Sequence, residues 1–333
     1  MGELIEVPAD YVREKFLGGS DIAGVLNISP WQTPVSVWQR KTGMEPEREP
    51  RPGKKKLFNR GKMWEKVVGE MLIAELEARE HRVVLVSTNH RYRDPRVPYF
   101  ASEIDYEILL DDIPDTVNVE LKTVHPNAAG EWGESDTDQC PVHYAAQAMW
   151  GLGVTGRKCC VVAPLFGADE IRVYPIIRDD EVIDGMRRQA LQFWERHVMP
   201  RIAPEPTTLE DVDRLFKLER DTFVTATPEM LETVLKYRAA QAMIVAKQEE
   251  LALSEFQIKQ YLRDATALMM EGGAKPIVTW KNRANAHLDQ ARFKSEYPKL
   301  HAQFMVRGQS RVFQVKKFAA SGGMEEEEGR CSY

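Results

Sequence analysis

Apolar residues recur along this chain in two rhythms. Over 20–26, 34–42, 60–80, 141–153 and 180–199 they return every three or four positions, which predicts helices with one buried face. Over 82–88 (R-V-V-L-V-S-T), 98–110, 117–124, 157–164 (R-K-C-C-V-V-A-P) and 170–177 they alternate or run together with β-branched residues, which predicts strands. The D-D-I-P-D-T segment that joins two of those strands is turn chemistry. Helices and strands in this order pack as a central mixed sheet flanked by helices, an α/β (α+β) fold.

The rhythm breaks at M-P-R-I-A-P-E-P-T-T (199–208), where three prolines interrupt both periods. This sets a boundary between a domain over 1–205 and a C-terminal, mostly helical α+β module over 206–322. In the module, Thr227 caps a helix that has Pro228 at its first position. Helical spacing then continues to about Met270 and stops at Gly272-Gly273, as a hairpin of two helices or one long helix. I-V-T-W (277–280) predicts a strand, K-N-R-A-N-A-H-L the start of a helix, and R-V-F-Q-V-K-K-F (311–318) alternates with period two. Residues 323–333, with four consecutive glutamates, read as a disordered acidic tail.

Composition narrows the class. No run of 18 apolar residues is present, and the start lacks the basic and apolar regions of a secretory signal, so the sequence predicts a cytoplasmic protein. Four cysteines at irregular spacing give neither a disulfide framework nor a zinc ribbon. The formal charge is −6, but residues 40–66 hold ten Lys or Arg against four acids and residues 281–317 nine against two. Such local clusters are either solvated faces or sites that attract a polyanion. In the second cluster, aromatics interleaved with basic residues suit a nucleic-acid backbone, and the alternative is a packing or oligomerisation element.

The candidate chemistry centres on V-E-L-K-T (119–123). On a strand, Glu120 and Lys122 project from one face while Leu121 enters the core. Alone, this alternation is an ordinary solvated strand face. Asp105 in the preceding strand would converge on Glu120 if the two strands pair, and two such carboxylates favour Mg2+ or Mn2+. Glu65, on the helix R-G-K-M-W-E, offers a third carboxylate, and Gln147, on H-Y-A-A-Q-A-M-W, a neighbouring amide. Acids beside one lysine are what phosphodiester hydrolysis requires. Spacing alone gives only a candidate metal site.

Taken together these motifs resemble the YqaJ-type viral recombinase / bacteriophage lambda exonuclease family of the PD-(D/E)XK nuclease superfamily. L-G-G-S-D-I-A-G-V-L-N-I-S-P-W with K-T-G (17–31, 41–43), R-G-K-M-W-E, D-x(14)-E-L-K and H-Y-A-A-Q occur in family order over roughly residues 10–200. The resemblance implies a restriction-endonuclease-like core and a Mg2+-dependent exodeoxyribonuclease, with Mn2+ able to substitute. It would act on double-stranded DNA ends, 5′ to 3′, leaving single strands for phage-type recombination with a single-strand annealing protein. By resemblance Asp105, Glu120 and the Leu121 carbonyl bind metal, Glu65 binds or organises metal and water, Lys122 is the catalytic lysine, and Gln147 orients it. Arg13, Ser20 and Ser102 fall at DNA- or phosphate-binding positions, and a homotrimer is implied on the same ground. Ser20, after Gly18-Gly19, also opens a helix whose free N–H groups suit a phosphate. The plain readings are an N-cap for Ser20 and a surface ion pair for Arg13. Rival functions on the same core are a structure-selective endonuclease and a catalytically silent DNA-binding scaffold.

Two departures stand out. S-E-I-D-Y replaces the family's S-P-D-G, putting Tyr106 where a glycine is usual and Glu103 where a small polar residue contacts DNA. The 125–142 loop carries Glu131, Glu134, Asp136 and Asp138 and reads as mobile. G-L-G-V-T-G (151–156) follows a helix and precedes a strand, the reverse of a dinucleotide fingerprint, and reads as a helix C-terminus. The cysteines lack iron–sulfur spacing, and His125 and His143 read as structural. Trp31 offers an apolar wedge for a DNA end, but core packing is the favoured reading.

Overall fold

A computed structural model describes residues 5–7, 12–44, 52–111, 113–284, 286–305 and 311–316. It divides into two compact units, Met1–Phe216 and Lys217–Tyr333. The predicted tail (323–333), and parts of both basic clusters (45–51, 285, 306–310, 317), lie outside the described residues.

The first unit is built on a seven-stranded mixed sheet. Its order is β1 (Ile5–Glu6), β2 (Val83–Arg93), β3 (Ala101–Leu110), β4 (Val117–Val124), β5 (Cys159–Phe166) and β6 (Glu170–Ile171), with β7 (Tyr174–Ile177) also paired to β5. Strands β2, β3 and β4 are antiparallel, whereas β4 and β5 are parallel and joined by α4 (Val142–Thr155). A parallel pair needs such a crossover element. The remaining helices are α1 (Gly19–Val25), α2 (Pro34–Thr42), α3 (Pro52–Ala78), α5 (Asp180–Phe193) and α6 (Leu209–Leu215). This is the expected helix-flanked mixed sheet.

Strand alternation assigns the two faces. Val117, Val119 and Leu121 of β4, with Val161, Ala163 and Leu165 of β5, bury against Val68, Leu72 and Leu76 of α3. The opposite face packs α1, α2, α4 and α5 around Ile22, Trp38, Phe100, Ile104, Trp150 and Phe193. On β4 the residues turned toward α4 are polar: Asn118 donates to Thr155 Oγ1, and Glu120 accepts from Gln147. One strand therefore carries an apolar edge into one core and a polar edge under a helix.

In the first unit, three features of the backbone differ from the sequence reading. First, the boundary expected at 205/206 falls at 216/217, because α6 is tied back to the first unit. The buried Asp211 accepts from Thr33 Oγ1 at 2.6 Å, and Leu215 packs on the core that holds Ile22, Trp38 and Phe193. Second, the 125–142 loop is anchored. Trp132 is buried and stacks on Tyr144 at 5.2 Å, and Asp136 pairs with Arg79 at 2.6 Å. Third, α3 begins at Pro52, eight residues before the expected start at 60.

In the second unit, Thr227 Oγ1 accepts from Met230 N–H, capping a single 35-residue helix, α7 (Pro228–Leu262). The helix stops before Met270 because Ala267–Met269 (β8) pairs with Pro276–Thr279 (β9) around the turn at Gly272. Residues 281–284 and 286–288 are not helical; α8 (Gln290–Glu296) and α9 (Pro298–Phe304) follow. Residues 311–316 form no strand. Lys259 Nζ lies over the Trp280 ring at 5.5 Å, and Phe313 meets Tyr237 edge-on at 5.5 Å.

Candidate active site

The β3–β4 ladder holds only three pairs, ending at Tyr106↔Val119. Just beyond it the strands part, and Asp105 and Glu120 sit at the fork. Asp105 Oδ2 accepts the Leu121 N–H at 2.8 Å, so a side chain replaces the partner the ladder would have supplied. Pairing in this register is what brings together two carboxylates fifteen residues apart.

Next to the fork, Glu120, Lys122 and Gln147 close a ring of hydrogen bonds. Lys122 Nζ donates to Glu120 Oε1 and, at 3.3 Å, to Gln147 Oε1, and Gln147 Nε2 donates to Glu120 Oε1. Glu120 is buried and Lys122 half-buried, with its ammonium 5.4 Å from the centre of the Tyr144 ring. Burial works against the Lys122 charge, but Glu120 and Asp105 outweigh it, and its pKa lies above the ordinary value. Asp105 moves the other way. Burial first, and then repulsion from Glu120, push its carboxyl well above the ordinary aspartate value; Lys122 and the Leu121 N–H oppose this, and Glu65 adds to it.

Glu65 is therefore coupled to Asp105 electrostatically from α3. Among the described residues, however, no three His, Cys, Asp or Glu side chains stand together as an ion-binding group. The Leu121 atom found at Asp105 is its N–H, and its side chain lies in the α3-side core. As a donor set, hard carboxylate oxygens whose mutual repulsion lifts an aspartate suit a divalent cation, which would relieve that repulsion.

The exposed Arg13 donates to the Oγ of the half-buried Ser20 at the start of α1. Beneath this pair the fully buried Asp21 accepts the Gly18 N–H and is clamped by Arg40 and Lys41, both at 2.7 Å. Lys41 also donates to the Arg13 carbonyl at 2.8 Å. The K-T-G segment thus holds Arg13 and Ser20 in place. Ser102 requires correction: it is 2% exposed, packed where Gly19 of α1 and Gly151 of α4 both approach β3, so it is not placed to meet DNA. Glu103 is spoken for as well, since Arg91 pairs with it at 2.5 Å.

Tyr106 is accommodated by a residue on another element. A Cβ at Gly69 of α3 would lie 2.3 Å from the Tyr106 ring, so the helix crosses this strand only because position 69 is bare. His125 is structural, its ring nitrogen capping the turn at Asn127. G-L-G-V-T-G forms the end of α4, with Gly156 at φ +72°. Trp31 overturns its expectation. It is 68% exposed, and its indole meets the His143 ring edge-on at 4.8 Å. Tyr144, in the same H-Y-A-A-Q motif, belongs to this site as well, and its signal in the sequence is an aromatic three residues before Gln147. No described helix is long and apolar enough to cross a membrane.

Residues 10–158 match the YqaJ-like viral recombinase domain family. The uncharacterized protein YqaJ of Bacillus subtilis (strain 168) is 25% identical over 313 residues, covering 92% of each chain. Among solved structures, an alkaline exonuclease (LHK-Exo) from Laribacter hongkongensis aligns with TM-score 0.42 and 16% identity, over 57% of this chain and 91% of that one. Its complex with dAMP aligns with TM-score 0.41 and 17% identity, over 61% and 94%.

Proposed function

We propose that this chain, whose residues 10–158 match the YqaJ-like viral recombinase domain family, is a divalent-metal-dependent deoxyribonuclease that hydrolyses double-stranded DNA from its ends, 5′ to 3′. Its product would be single strands for recombination. The observation that carries this reading is the fork where β3 and β4 part, with Glu120, Lys122 and Gln147 in one hydrogen-bonded ring and Asp105 and Glu65 coupled to it electrostatically.

Asp105, Glu120 and Glu65 would hold Mg2+ or Mn2+. When bound, such an ion neutralises the scissile phosphate, acidifies water and stabilises the leaving oxygen. The protein's own residues do the rest. Lys122 has three N–H donors, and two point at Glu120 and Gln147, which leaves one for a phosphate oxygen or the attacking water. With its pKa raised it stays protonated at neutral pH, so it acts as a fixed positive charge and a proton donor at Nζ. Gln147 grips both neighbours and fixes the direction of that third N–H. Arg13 and Ser20, held from below by Lys41, would take the phosphate at a 5′ end.

The test is digestion of linear against covalently closed circular duplex, with Mg2+ and with a chelator. Loss of the linear form alone, and only with Mg2+, is the expected result. Cutting of closed circles would replace the exonuclease with an endonuclease on the same core. No cleavage of either, with DNA still bound, would favour the silent scaffold.

A further inference from the structure

The backbone that carries the exposed Trp31 is fixed by hydrogen bonds. Its N–H and that of Gln32 both donate to Ser29 Oγ, at 3.2 and 3.1 Å. Gln32 in turn donates to the Ser20 carbonyl at 3.3 Å and accepts from Arg40 at 2.7 Å. The short segment between α1 and α2 that carries Trp31 is thus tied directly to the residue paired with Arg13.

The indole does not stand alone. It meets His143 edge-on and lies 6.1 Å from Tyr144, and His143 and Tyr144 are themselves 4.1 Å apart. Tyr144 continues to Trp132 on one side and to the Lys122 ammonium on the other. His143 Nε2 is enclosed and makes no hydrogen bond, and burial lowers the His143 pKa, so the ring sits there as a neutral wall. This aromatic shelf presents a large apolar face to solvent beside groups suited to phosphate. A ligand that satisfies both needs a flat unsaturated ring attached to a phosphodiester.

We propose that Trp31 is a stacking residue for a nucleobase of the strand whose phosphodiester lies at Lys122, with His143 and Tyr144 as its backing. This rests on the nuclease reading above and adds a binding subsite to it. Base–aromatic stacking is tolerant of sequence, as a nuclease working inward from any end would need, and its loss weakens binding about 5- to 150-fold per base.

The test uses the full chain with a chelator in place of Mg2+, so that DNA is bound and not cut, with a 5′-phosphorylated duplex carrying 5-iododeoxyuridine near the 5′ end. Irradiation is expected to crosslink that base to Trp31, read by mass spectrometry. Trp31→Ala should weaken binding by the factor above without changing the slope of log K against log [salt], because no phosphate contact is lost. Trp31→Phe should recover most of the affinity. Because the indole is mostly exposed, the melting temperature should not move with either change. Unchanged affinity in Trp31→Ala, with no crosslink at Trp31, would overturn the stacking role and leave the nuclease reading intact. Failure of the parent protein to bind duplex DNA at all would overturn both.

Discussion

At the scale of single residues, the donor geometry around Lys122 makes the sharpest demand. Its ammonium is oriented by Glu120 and Gln147 and enclosed beside Tyr144, so the free N–H points one way. Lys122→Ala should lower kcat about 10²- to 10³-fold, the usual cost of a lost charge-stabilising donor, with KM changed less. A steady-state assay on linear duplex checks this, and unchanged turnover would remove Lys122 from the site. Sequence spacing had paired Glu120 with Lys122, because alternation on a strand is local. It does not bring Tyr144 or His143 to the site, because nothing along the chain says which face of α4 meets β4. Ser102 shows the opposite error. A motif position suggested a surface contact, and packing against Gly19 and Gly151 buried it.

Among elements, the approach of α3 to β3 depends on one missing side chain. Gly69→Ala forces a methyl group onto the Tyr106 ring and should destabilise the first unit by about 1–3 kcal/mol, the range for overpacking a tight core. Chemical denaturation measures this, and combining it with Tyr106→Val should recover part of the loss. Because Glu65 rides on the same helix, activity should fall with it. A second element contact is titratable. Burial alone would raise the Asp94 carboxyl, but the pair to Arg187 of α5 and two backbone N–H groups bring it below the ordinary 3.8. Asp21, clamped by Lys41 and Arg40, is lowered in the same way against its burial. For a carboxyl with a depressed folded-state pKa, the stabilisation is present above the unfolded value and lost as pH falls through the folded one. Thermal midpoints should therefore drop steeply below about pH 4, and Asp94→Asn should flatten that drop. An equally steep acid limb in Asp94→Asn would show that this pair contributes nothing.

Across the whole molecule, the proposed action on ends predicts that a 5′-phosphorylated linear duplex is degraded faster than its 5′-hydroxyl counterpart. Arg13→Ala should reduce that preference, and equal rates for both ends in the parent protein would refute the phosphate role. The two units differ in how far the sequence described them. Helix and strand order in the first unit, the E-L-K strand and the capped start of α7 at Thr227 could be read from periodicity, because each is fixed by residues within one turn or one strand of its neighbours. The end of α7 could not, since a β8–β9 pairing takes residues whose spacing also fits a helix. Nor could the boundary, because α6 is recruited by Thr33, far upstream in the chain. Residue types and their alternation determined which side chains could do chemistry. Only the fold decided that Asp105 and Glu120 meet where a ladder ends, that Lys41 supports Arg13 from below, and that Trp31 faces water. Those outcomes depend on contacts between distant segments, whose energies no local pattern encodes.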